Sequence, residues 1–338
     1  MRQVWISRAG PPNVLELREA ADPTPAAGEV RIRVAYAGIN FADIMARMGA
    51  YPDAPPIPCV VGYEVSGVID ALGEGVEDVA VGDEVVCLCR FGGYTDTICV
   101  PRLQVVPVPA STTLEAAAAV PVNYLTAWLM LVELGNVHAG HDVLVHAAGG
   151  GVGQAALQIC AWKGATVFGT ASAGKHERLR ERGVSHCIDY RNQDFEAEVM
   201  RITEGRGVDI VLDAVGGASF KKSYRCLRHN GRLFMFGASS VVPGKRRRLL
   251  PALKALAQMP RFSSLQLLDL NRGVFGVNLG HLWHENERMQ AMFGAIMAEV
   301  GAGTFAPVVD RVFPLEQAAD AHQYIQDRKN FGKVLLKA

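Results

Sequence analysis

The sequence has no excess of charge of either sign, no long apolar run and no paired framework of cysteines. Its 34 acidic and 34 basic residues balance, which argues against a general nucleic-acid-binding surface. No stretch approaches the roughly 20 consecutive apolar residues of a membrane span, and the first residues do not resemble a signal peptide. We therefore expect a cytoplasmic protein that acts on a small molecule and not on nucleic acid.

The seven cysteines are an odd number and are scattered along the chain. Most of them lie in runs that are typical of strand or helix interiors, where a free cysteine behaves as a small apolar residue. The sequence therefore predicts reduced thiols and no disulfide framework.

The length of 338 residues suits two domains, each with its own core. Up to about residue 108, short β-like runs alternate with Gly, Pro and Asp. The run at 29–40 has a period of two, and further runs occupy 62–73 and 81–88. This pattern predicts a first domain that is mainly β.

Beyond residue 140, strand patterns and helix patterns alternate along the chain. The predicted strands cover 142–147, 165–170, 186–190, 208–213 and 231–237. The predicted helices cover about 151–163, 174–183 and 194–204. This alternation predicts an α/β domain with a doubly wound parallel sheet. After about residue 305 the pattern is strand, helix and strand again.

Three consecutive glycines stand between the first strand of this series and its helix, in the stretch VLVHAAGGGVG at 143–153. Ala148, Gly150 and Gly153 occupy the three positions of the dinucleotide fingerprint, and Gly151 and Val152 lie between them at the start of the helix. Such a turn brings backbone close to a pyrophosphate and aims helix N–H groups at it. The alternative is a tight strand-to-helix turn without a ligand.

No acidic residue lies between Gly153 and His176. A site selective for NAD places Asp or Glu about 20 residues after the turn, where the carboxylate binds the ribose hydroxyls. Here Ser172 and Lys175 offer a hydroxyl and an ammonium instead, which suits a 2′-phosphate. The predicted cofactor is therefore NADP(H), unless Lys175 is simply a solvated lysine in a first helical turn.

Several motifs together make the chain resemble the zinc-independent quinone oxidoreductases among the medium-chain dehydrogenase/reductases. The matching stretches lie at 38–76, 82–86, 123–128, 146–158, 207–217 and 330–336. Within that superfamily, the sequences of other stretches are most similar to the branch of the vesicle amine transport protein homologues. One such stretch is LQLLDLNRGVFGVNLGHL at 265–282.

The resemblance implies a GroES-like, β-rich catalytic domain and a Rossmann domain. Residues 1–122 would form the first part of the catalytic domain, 123–265 the Rossmann NADP(H)-binding domain, and 266–338 the end of the Rossmann sheet and the return to the catalytic domain. It further implies that three more residues contact the cofactor, namely Tyr190, Asn330 and Lys333. Tyr190 would lie beside the 2′-phosphate, although it can also be the plain end of a strand.

Where the zinc-dependent relatives have metal ligands, this sequence has Asn40 and Tyr63. Cys87, Cys89 and Cys99 supply neither the number nor the spacing of a structural zinc lobe. The resemblance therefore implies that no metal takes part.

Without a metal, three polar residues are the candidates for catalysis. Asn40 could orient the substrate or the nicotinamide, or it could stabilise a turn. Tyr51 matches a tyrosine that related enoyl reductases use towards a carbonyl, or it anchors a Pro-rich loop. Tyr63 could simply fill the volume that a metal ligand occupies in the zinc-dependent relatives.

The resulting expectation is an NADPH-dependent reductase of quinones or α,β-unsaturated carbonyl compounds that acts as a homodimer. One alternative is an enoyl reductase of fatty-acid or polyketide biosynthesis, with an enoyl thioester as substrate. The other is a non-catalytic NADPH-binding protein that contacts a membrane or a partner. The last alternative depends on the basic cluster at 245–248 and the apolar positions at 249–259, a pattern that a crossover helix on the sheet would also explain.

Overall fold

The computed structural model describes residues 1–241, 253–255 and 257–338. These residues form two compact units: the first comprises 1–125 and 279–338, and the second comprises 126–241, 253–255 and 257–278. The basic cluster at 245–248, on which the membrane alternative depends, lies outside the described residues, as do most of the apolar positions that follow it. Within the described part, no helix is long and apolar enough to cross a membrane.

The first unit is built mainly from β-strands, as the sequence predicts. Its strands are β1 (Arg2–Ile6), β2 (Leu15–Glu19), β3 (Glu29–Ile39), β4 (Cys59–Val60), β5 (Glu64–Leu72), β6 (Glu84–Leu88), β7 (Thr97–Pro101), β8 (Val105–Pro107), β15 (Val309–Pro314) and β16 (Lys333–Lys337). One seven-stranded sheet has the order β15-β16-β3-β5-β6-β8, with β7 also paired to β3, and a three-stranded sheet has the order β2-β1-β4.

Side chains on β3 alternate between a buried and a more exposed face of the large sheet. Val30, Ile32 and Val34 are buried in the core on one face, whereas Arg31 and Arg33 on the other face bind the carboxylate of Asp70. Period-two burial of this kind is what a half-covered antiparallel strand requires.

The end of the chain completes the sheet that the first strands begin. Strand β16 pairs antiparallel with the end of β3, so that Val334 lies opposite Ile39. The described helices of this unit are α1 (Phe41–Arg47), α2 (Leu114–Ala117), the start of α3 (Pro121–Trp128), α9 (Asn286–Gly301) and α10 (Ala318–Gln326). The β3–β16 pairing places Lys333, the first residue of β16, beside the end of β3.

The second unit is the predicted doubly wound parallel sheet. Its strands are β9 (Asp142–Val145), β10 (Thr166–Ala171), β11 (His186–Asp189), β12 (Val208–Asp213), β13 (Leu227–Met235) and β14 (Gly273–Gly276). Their order is β11-β10-β9-β12-β13-β14, and the neighbouring strands are parallel. The order reverses beside β9, which is the topological switch point where such sheets bind ligands.

Helices follow the strands as the sequence predicts. They are α4 (Gly151–Lys163), α5 (His176–Glu181), α6 (Phe195–Ile202), α7 (Ala218–Arg225) and α8 (Ser264–Leu270). Strand β13 begins at Leu227 and not near residue 231, because Leu227 pairs with Val208 before a bulge interrupts the ladder. Asn230 within this strand has a left-handed φ of 63°, and its sequence therefore resembles a turn.

The seven cysteines all fall in the described part of the chain and are free thiols. Five of them are buried among apolar neighbours, as the sequence predicts. Burial raises the pKa of Cys160 and of Cys226 to about 12, so these thiols are unreactive at neutral pH.

Candidate functional site

The glycine turn lies between β9 and α4, at the carboxyl edge of the parallel sheet. Ala147 has a left-handed φ of 53°, and the Gly150 N–H donates to the Ala147 carbonyl at 2.8 Å. Gly150 stands at the N-cap of α4 and has no side chain with which to cap the helix. The first N–H groups of α4 are therefore left for an anion such as a pyrophosphate.

Gly153 allows α4 to pack directly on the turn. A Cβ at this position would lie 2.6 Å from the carbonyl oxygens of both Ala147 and Ala148. Ala148 is buried and faces Gly169 of β10, where a Cβ would lie 3.1 Å from that of Ala148. The structure thus brings the predicted fingerprint residues into one cradle that a larger side chain would fill.

Buried polar side chains support the turn. The Ala147 N–H donates to Thr170 Oγ1 at 3.3 Å, and that hydroxyl lies 3.1 Å from His146 Nδ1. His146 Nε2 lies 3.0 Å from Ser223 Oγ, which donates to Asp213 at 2.7 Å. Burial lowers the pKa of His146, so a neutral imidazole connects the turn to β10, α7 and β12.

The predicted 2′-phosphate residues lie at the same edge of the sheet. Ala171 at the end of β10 is the register partner of Asp189 at the end of β11. Ser172 and Tyr190, the next residue in each case, therefore leave neighbouring strands side by side. Lys175 follows in a short 3-10 helix over 173–175 and is partly buried.

Asp189 is an acidic residue at this edge, but its carboxylate forms hydrogen bonds within the turn that follows β11. It accepts hydrogen bonds from the Arg191 N–H at 3.1 Å and from Asn192 Nδ2 at 2.6 Å, and these two bonds lower its pKa. The exposed Arg191 guanidinium lies 5.9 Å from the centre of the Tyr190 ring. Arg191 is thus a second cation near the predicted phosphate site that the sequence analysis missed, although its position directly after Tyr190 was a usable signal.

In the first unit, Asn40 follows the end of β3 and is the N-cap residue of α1. Its Nδ2 donates to Glu64 Oε1 at 2.8 Å, and its Oδ1 accepts from Lys333 Nζ at 2.6 Å. Lys333 also forms an ion pair with Glu64, whose other oxygen accepts the Val122 N–H at 2.8 Å. Glu64 is 0% and Lys333 is 3% exposed. We call Asn40, Glu64 and Lys333 the Asn40 cluster.

Asp43 connects Asn40 to the segment that carries Tyr63. Its Oδ2 accepts from the Asn40 N–H at 2.8 Å and from the Tyr94 hydroxyl at 3.1 Å. Its Oδ1 accepts from the Gly62 N–H at 3.1 Å. Asp43 is fully buried, and burial raises its pKa from 3.8 to about 7 in spite of these donors.

A second buried chain of hydrogen bonds leads away from Asp43. The Tyr94 hydroxyl lies 2.9 Å from His322 Nε2, and His322 Nδ1 lies 3.4 Å from an Arg47 nitrogen. Arg47 donates to the Gly10 carbonyl at 3.1 Å, and burial lowers its pKa to about 10. Burial holds the pKa of His322 well below its usual range, so Arg47 carries the positive charge of this network.

The raised pKa of Asp43 makes a prediction about stability and pH. Between pH 4 and pH 7 the unfolded carboxyl ionises while the folded one keeps its proton, so the stability that Asp43 contributes is lost as the pH rises. We expect the free energy of unfolding of the wild type to fall by about 2 to 3 kcal/mol more than that of Asp43→Asn between pH 4.5 and pH 7. Urea unfolding at both pH values measures this difference. An equal change in the free energy of unfolding for the wild type and Asp43→Asn would contradict the prediction.

Tyr51 and Tyr63 lie together beside this network. Their rings meet edge to face with centroids 6.4 Å apart, and Tyr63 packs on Phe91 with centroids 4.9 Å apart. The Tyr63 hydroxyl is buried and has no hydrogen-bond partner among the described residues. Burial raises the pKa of both phenols, so both are neutral hydrogen-bond donors at physiological pH.

Asn330 and Lys333, which the resemblance places near the cofactor, both lie in the first unit. Asn330 donates to the Gly332 carbonyl at 3.0 Å, and Lys333 is held in the Asn40 cluster. Their contact with a cofactor stays a prediction. Glu64 and Asp43 were not predicted from the sequence, although each is an acidic residue inside or beside an apolar run, where a buried charge needs a partner.

Comparison with known proteins agrees with this architecture. Residues 26–110 match the family described as the alcohol dehydrogenase GroES-like domain, and residues 182–336 match the family described as zinc-binding dehydrogenase. The human synaptic vesicle membrane protein VAT-1 homolog is 43% identical over 323 residues, which cover 95% of this chain and 82% of that protein.

Two solved structures extend the comparison. Escherichia coli quinone oxidoreductase complexed with NADPH matches with a TM-score of 0.88 and 27% identity over 100% of both chains. The CurK enoyl reductase matches with a TM-score of 0.86 and 30% identity, covering 99% of this chain and 98% of that one.

A GroES-like unit and a Rossmann sheet in one chain define an oxidoreductase of the medium-chain type. The chain belongs to the medium-chain dehydrogenase/reductase superfamily, in the branch that contains the VAT-1 homologues. The resemblance and the fold class predicted from the sequence are therefore confirmed.

The residues at the position of the family's metal ligands do not fit a zinc ion. The oxygen of Asn40 already accepts a hydrogen bond from the Lys333 ammonium, so a divalent cation there would face a like charge. Across residues 1–241, 253–255 and 257–338, no three His, Cys, Asp or Glu side chains are grouped so that they could hold a metal ion.

Proposed function

We propose that this oxidoreductase is zinc-independent and uses NADPH to reduce a quinone or an α,β-unsaturated carbonyl compound. The observation that carries the proposal is the Asn40 cluster: Asn40 stands where the resemblance places a metal ligand, and its amide oxygen accepts a hydrogen bond from the Lys333 ammonium. A zinc dehydrogenase polarises oxygen by Lewis acidity. Without that help, suitable acceptors take hydride at carbon and spread the resulting charge, as quinones and enones do.

NADP(H) fits the residues of the second unit. The uncapped start of α4 and the close packing at Gly153 leave room and N–H groups for the pyrophosphate. Ser172, Lys175 and Tyr190 would receive the 2′-phosphate, and Arg191 adds a second cation. When bound, NADPH supplies the hydride, and the protein contributes binding, orientation and electrostatics.

Three residues of the first unit would act on the acceptor. Asn40 can donate a hydrogen bond to an oxygen on which negative charge develops, a contribution of a few kcal/mol at a preorganised site. The rings of Tyr51 and Tyr63 are in edge-to-face contact, and their neutral hydroxyls would be further donors to the same acceptor. None of these roles requires a metal.

An enoyl reductase of fatty-acid or polyketide biosynthesis is the second candidate function. It is favoured by the similarity to the CurK enoyl reductase over nearly the whole chain. An enoyl thioester also takes hydride at carbon and develops an enolate, so the same three residues would serve it. Separate assays with quinones, simple enones and crotonyl thioesters distinguish the substrate classes.

A homodimer remains part of the proposal. In the described part of the chain, β14 is an edge strand of the parallel sheet. A second copy of the chain could extend the sheet at this edge.

The cofactor assignment predicts the effect of removing Lys175. The Lys175→Ala variant should bind NADPH about 10- to 100-fold more weakly, because a charge-assisted hydrogen bond to the 2′-phosphate is lost. Its affinity for NADH should not change, since NADH has no such phosphate. Fluorescence titration with both nucleotides measures the two affinities.

Lys163→Ala is the matched control for this variant. Lys163 lies in the same unit, at the far end of α4, with its ammonium over the Trp162 ring, so its removal should leave both affinities as they are. Equal weakening of NADPH and NADH by Lys175→Ala would count against a 2′-phosphate at this position. A wild type that oxidises NADPH with none of the three acceptor classes would remove the proposed activity and favour the non-catalytic alternative.

A further inference from the structure

Three strand ends bring the Asn40 cluster together. Asn40 follows the end of β3, Glu64 begins β5 and Lys333 begins β16. Strand β3 lies between the other two in the sheet, so the three side chains meet at one end of it. The cluster is therefore set by the register of the sheet and not by a flexible loop.

Glu64 is held rigidly from several directions. It binds the Lys333 ammonium and Asn40 Nδ2 through Oε1, and the Val122 N–H through Oε2. It also lies flat on Gly38, where a Cβ would come within 2.6 Å of the Glu64 carboxyl carbon. A carboxylate fixed in this way presents a defined acceptor to its neighbour.

The two charges determine which way the Asn40 amide faces. In the observed orientation the amide oxygen meets the Lys333 ammonium and the amide nitrogen meets the Glu64 carboxylate. If the amide were rotated by half a turn, its oxygen would face the carboxylate and its nitrogen would face the ammonium. Both contacts would then be repulsive. The amide oxygen and the carboxylate are both acceptors, and the amide nitrogen and the ammonium are both donors.

We propose that Glu64 and Lys333 are positioning residues that fix the Asn40 amide as a hydrogen-bond donor towards the substrate. Lys333 occupies the amide oxygen, and Glu64 takes one of the two N–H groups. The second N–H is then left to donate to an acceptor oxygen that gains negative charge when hydride arrives at carbon. Oxygens of quinols and enolates fit this donor, whereas a group that must itself donate a hydrogen bond does not.

The burial of the pair fits a role that is exerted through Asn40. Glu64 is 0% and Lys333 is 3% exposed, while Asn40 is only partly buried, so within this unit Asn40 is the most exposed member of the cluster. This inference rests on the proposed function for the identity of the acceptor, but the orientation of the amide can be measured without any substrate.

A double-mutant cycle tests the positioning role. Lys333→Met should lower kcat by about tenfold or more, since an unaligned donor is largely lost to the transition state. Because the Lys333 ammonium binds Asn40 and Glu64, NADPH affinity should stay within about twofold, which sets this role against the cofactor contact that the resemblance implies for Lys333. In an Asn40→Ala background the same substitution should have no further effect on kcat. Additive losses, or a loss of NADPH affinity with unchanged kcat, would overturn the proposal.

Two further variants control for misfolding and for the loss of any ion pair on this sheet. If Lys333→Met leaves too much uncompensated charge at Glu64 to fold, the double variant Glu64→Gln/Lys333→Met removes both charges and should show the same loss of kcat. Arg31→Met breaks a partly buried ion pair with Asp70 on the same sheet and should leave kcat unchanged.

Nuclear magnetic resonance of the Asn40 side chain decides the orientation independently of activity. In protein labelled with 15N-asparagine, the Nδ2 signals that vanish in Asn40→Ala belong to Asn40. We expect these signals to shift and their protons to exchange faster in Lys333→Met, but not in Arg31→Met. Unchanged signals in Lys333→Met would overturn the positioning role. If instead the wild type reduces no acceptor while the signals behave as expected, the proposed function fails and the fixed orientation stands.

Discussion

Gly153→Ala should weaken NADPH binding by about 30-fold or more, which corresponds to about 2 kcal/mol of overpacking and misaligned N–H groups. The new Cβ would meet the backbone oxygens of Ala147 and Ala148 at 2.6 Å. Backbone atoms cannot rotate away as a flexible side chain can, so the turn or the start of α4 must move. Fluorescence titration with NADPH measures the affinity, and circular dichroism shows whether the fold is kept.

Gly294→Ala, in helix α9 of the first unit, is the control for this variant. A Cβ at the exposed Gly294 would have no neighbouring atom within 4 Å, and this glycine does not have a positive φ. We therefore expect its NADPH affinity to stay within about twofold of the wild type, as for other surface substitutions. NADPH affinity at the wild-type level in a folded Gly153→Ala would show that the pyrophosphate does not use this turn.

Asn40→Ala should reduce kcat by about 100-fold, the usual cost of losing one preorganised donor to a developing oxyanion. NADPH affinity should not change, because the cofactor residues of the second unit are untouched. Steady-state kinetics with a quinone and an enone, together with a nucleotide titration, separate the two effects.

Asn40→Asp is the informative companion variant. Its side chain has nearly the same shape and can still accept from Lys333, but it has no N–H to donate. If donation is the function of Asn40, this variant should lose as much kcat as Asn40→Ala or more. Wild-type turnover in either folded variant would remove Asn40 from the mechanism and leave Tyr51 and Tyr63 as the remaining candidates.

The candidate residues of the two units differed in how far the sequence could predict them. The cofactor residues of the second unit are local: Ala148, Gly150 and Gly153 lie within one turn, and strand and helix periodicity place that turn at the edge of a parallel sheet. Ser172 and Lys175 follow at the end of the next strand. Such features depend on short spacings, and the strand order of the second unit agrees with them.

The Asn40 cluster of the first unit depends on contacts between distant parts of the chain. Lys333 lies 293 positions after Asn40, and nothing in the spacing of a single sequence joins them. The resemblance suggested a cofactor contact for Lys333, which stays a prediction, and the structure adds that its ammonium binds Asn40 and Glu64. Only the pairing of β16 with β3 brings these residues together.

Asp189 and Asp43 illustrate the same limit for single acidic residues. The sequence does not show which groups these two carboxylates bind. The structure shows Asp189 bound to its own turn and Asp43 fully buried between Asn40, Gly62 and Tyr94. The sequence by itself thus determined the class of protein, the two kinds of domain and the position of the glycine turn, because periodicity and short motifs are local properties. Only the tertiary structure decided which charges are buried, which groups they bind and which way the Asn40 amide faces, because burial and pairing depend on strands that meet from opposite ends of the chain.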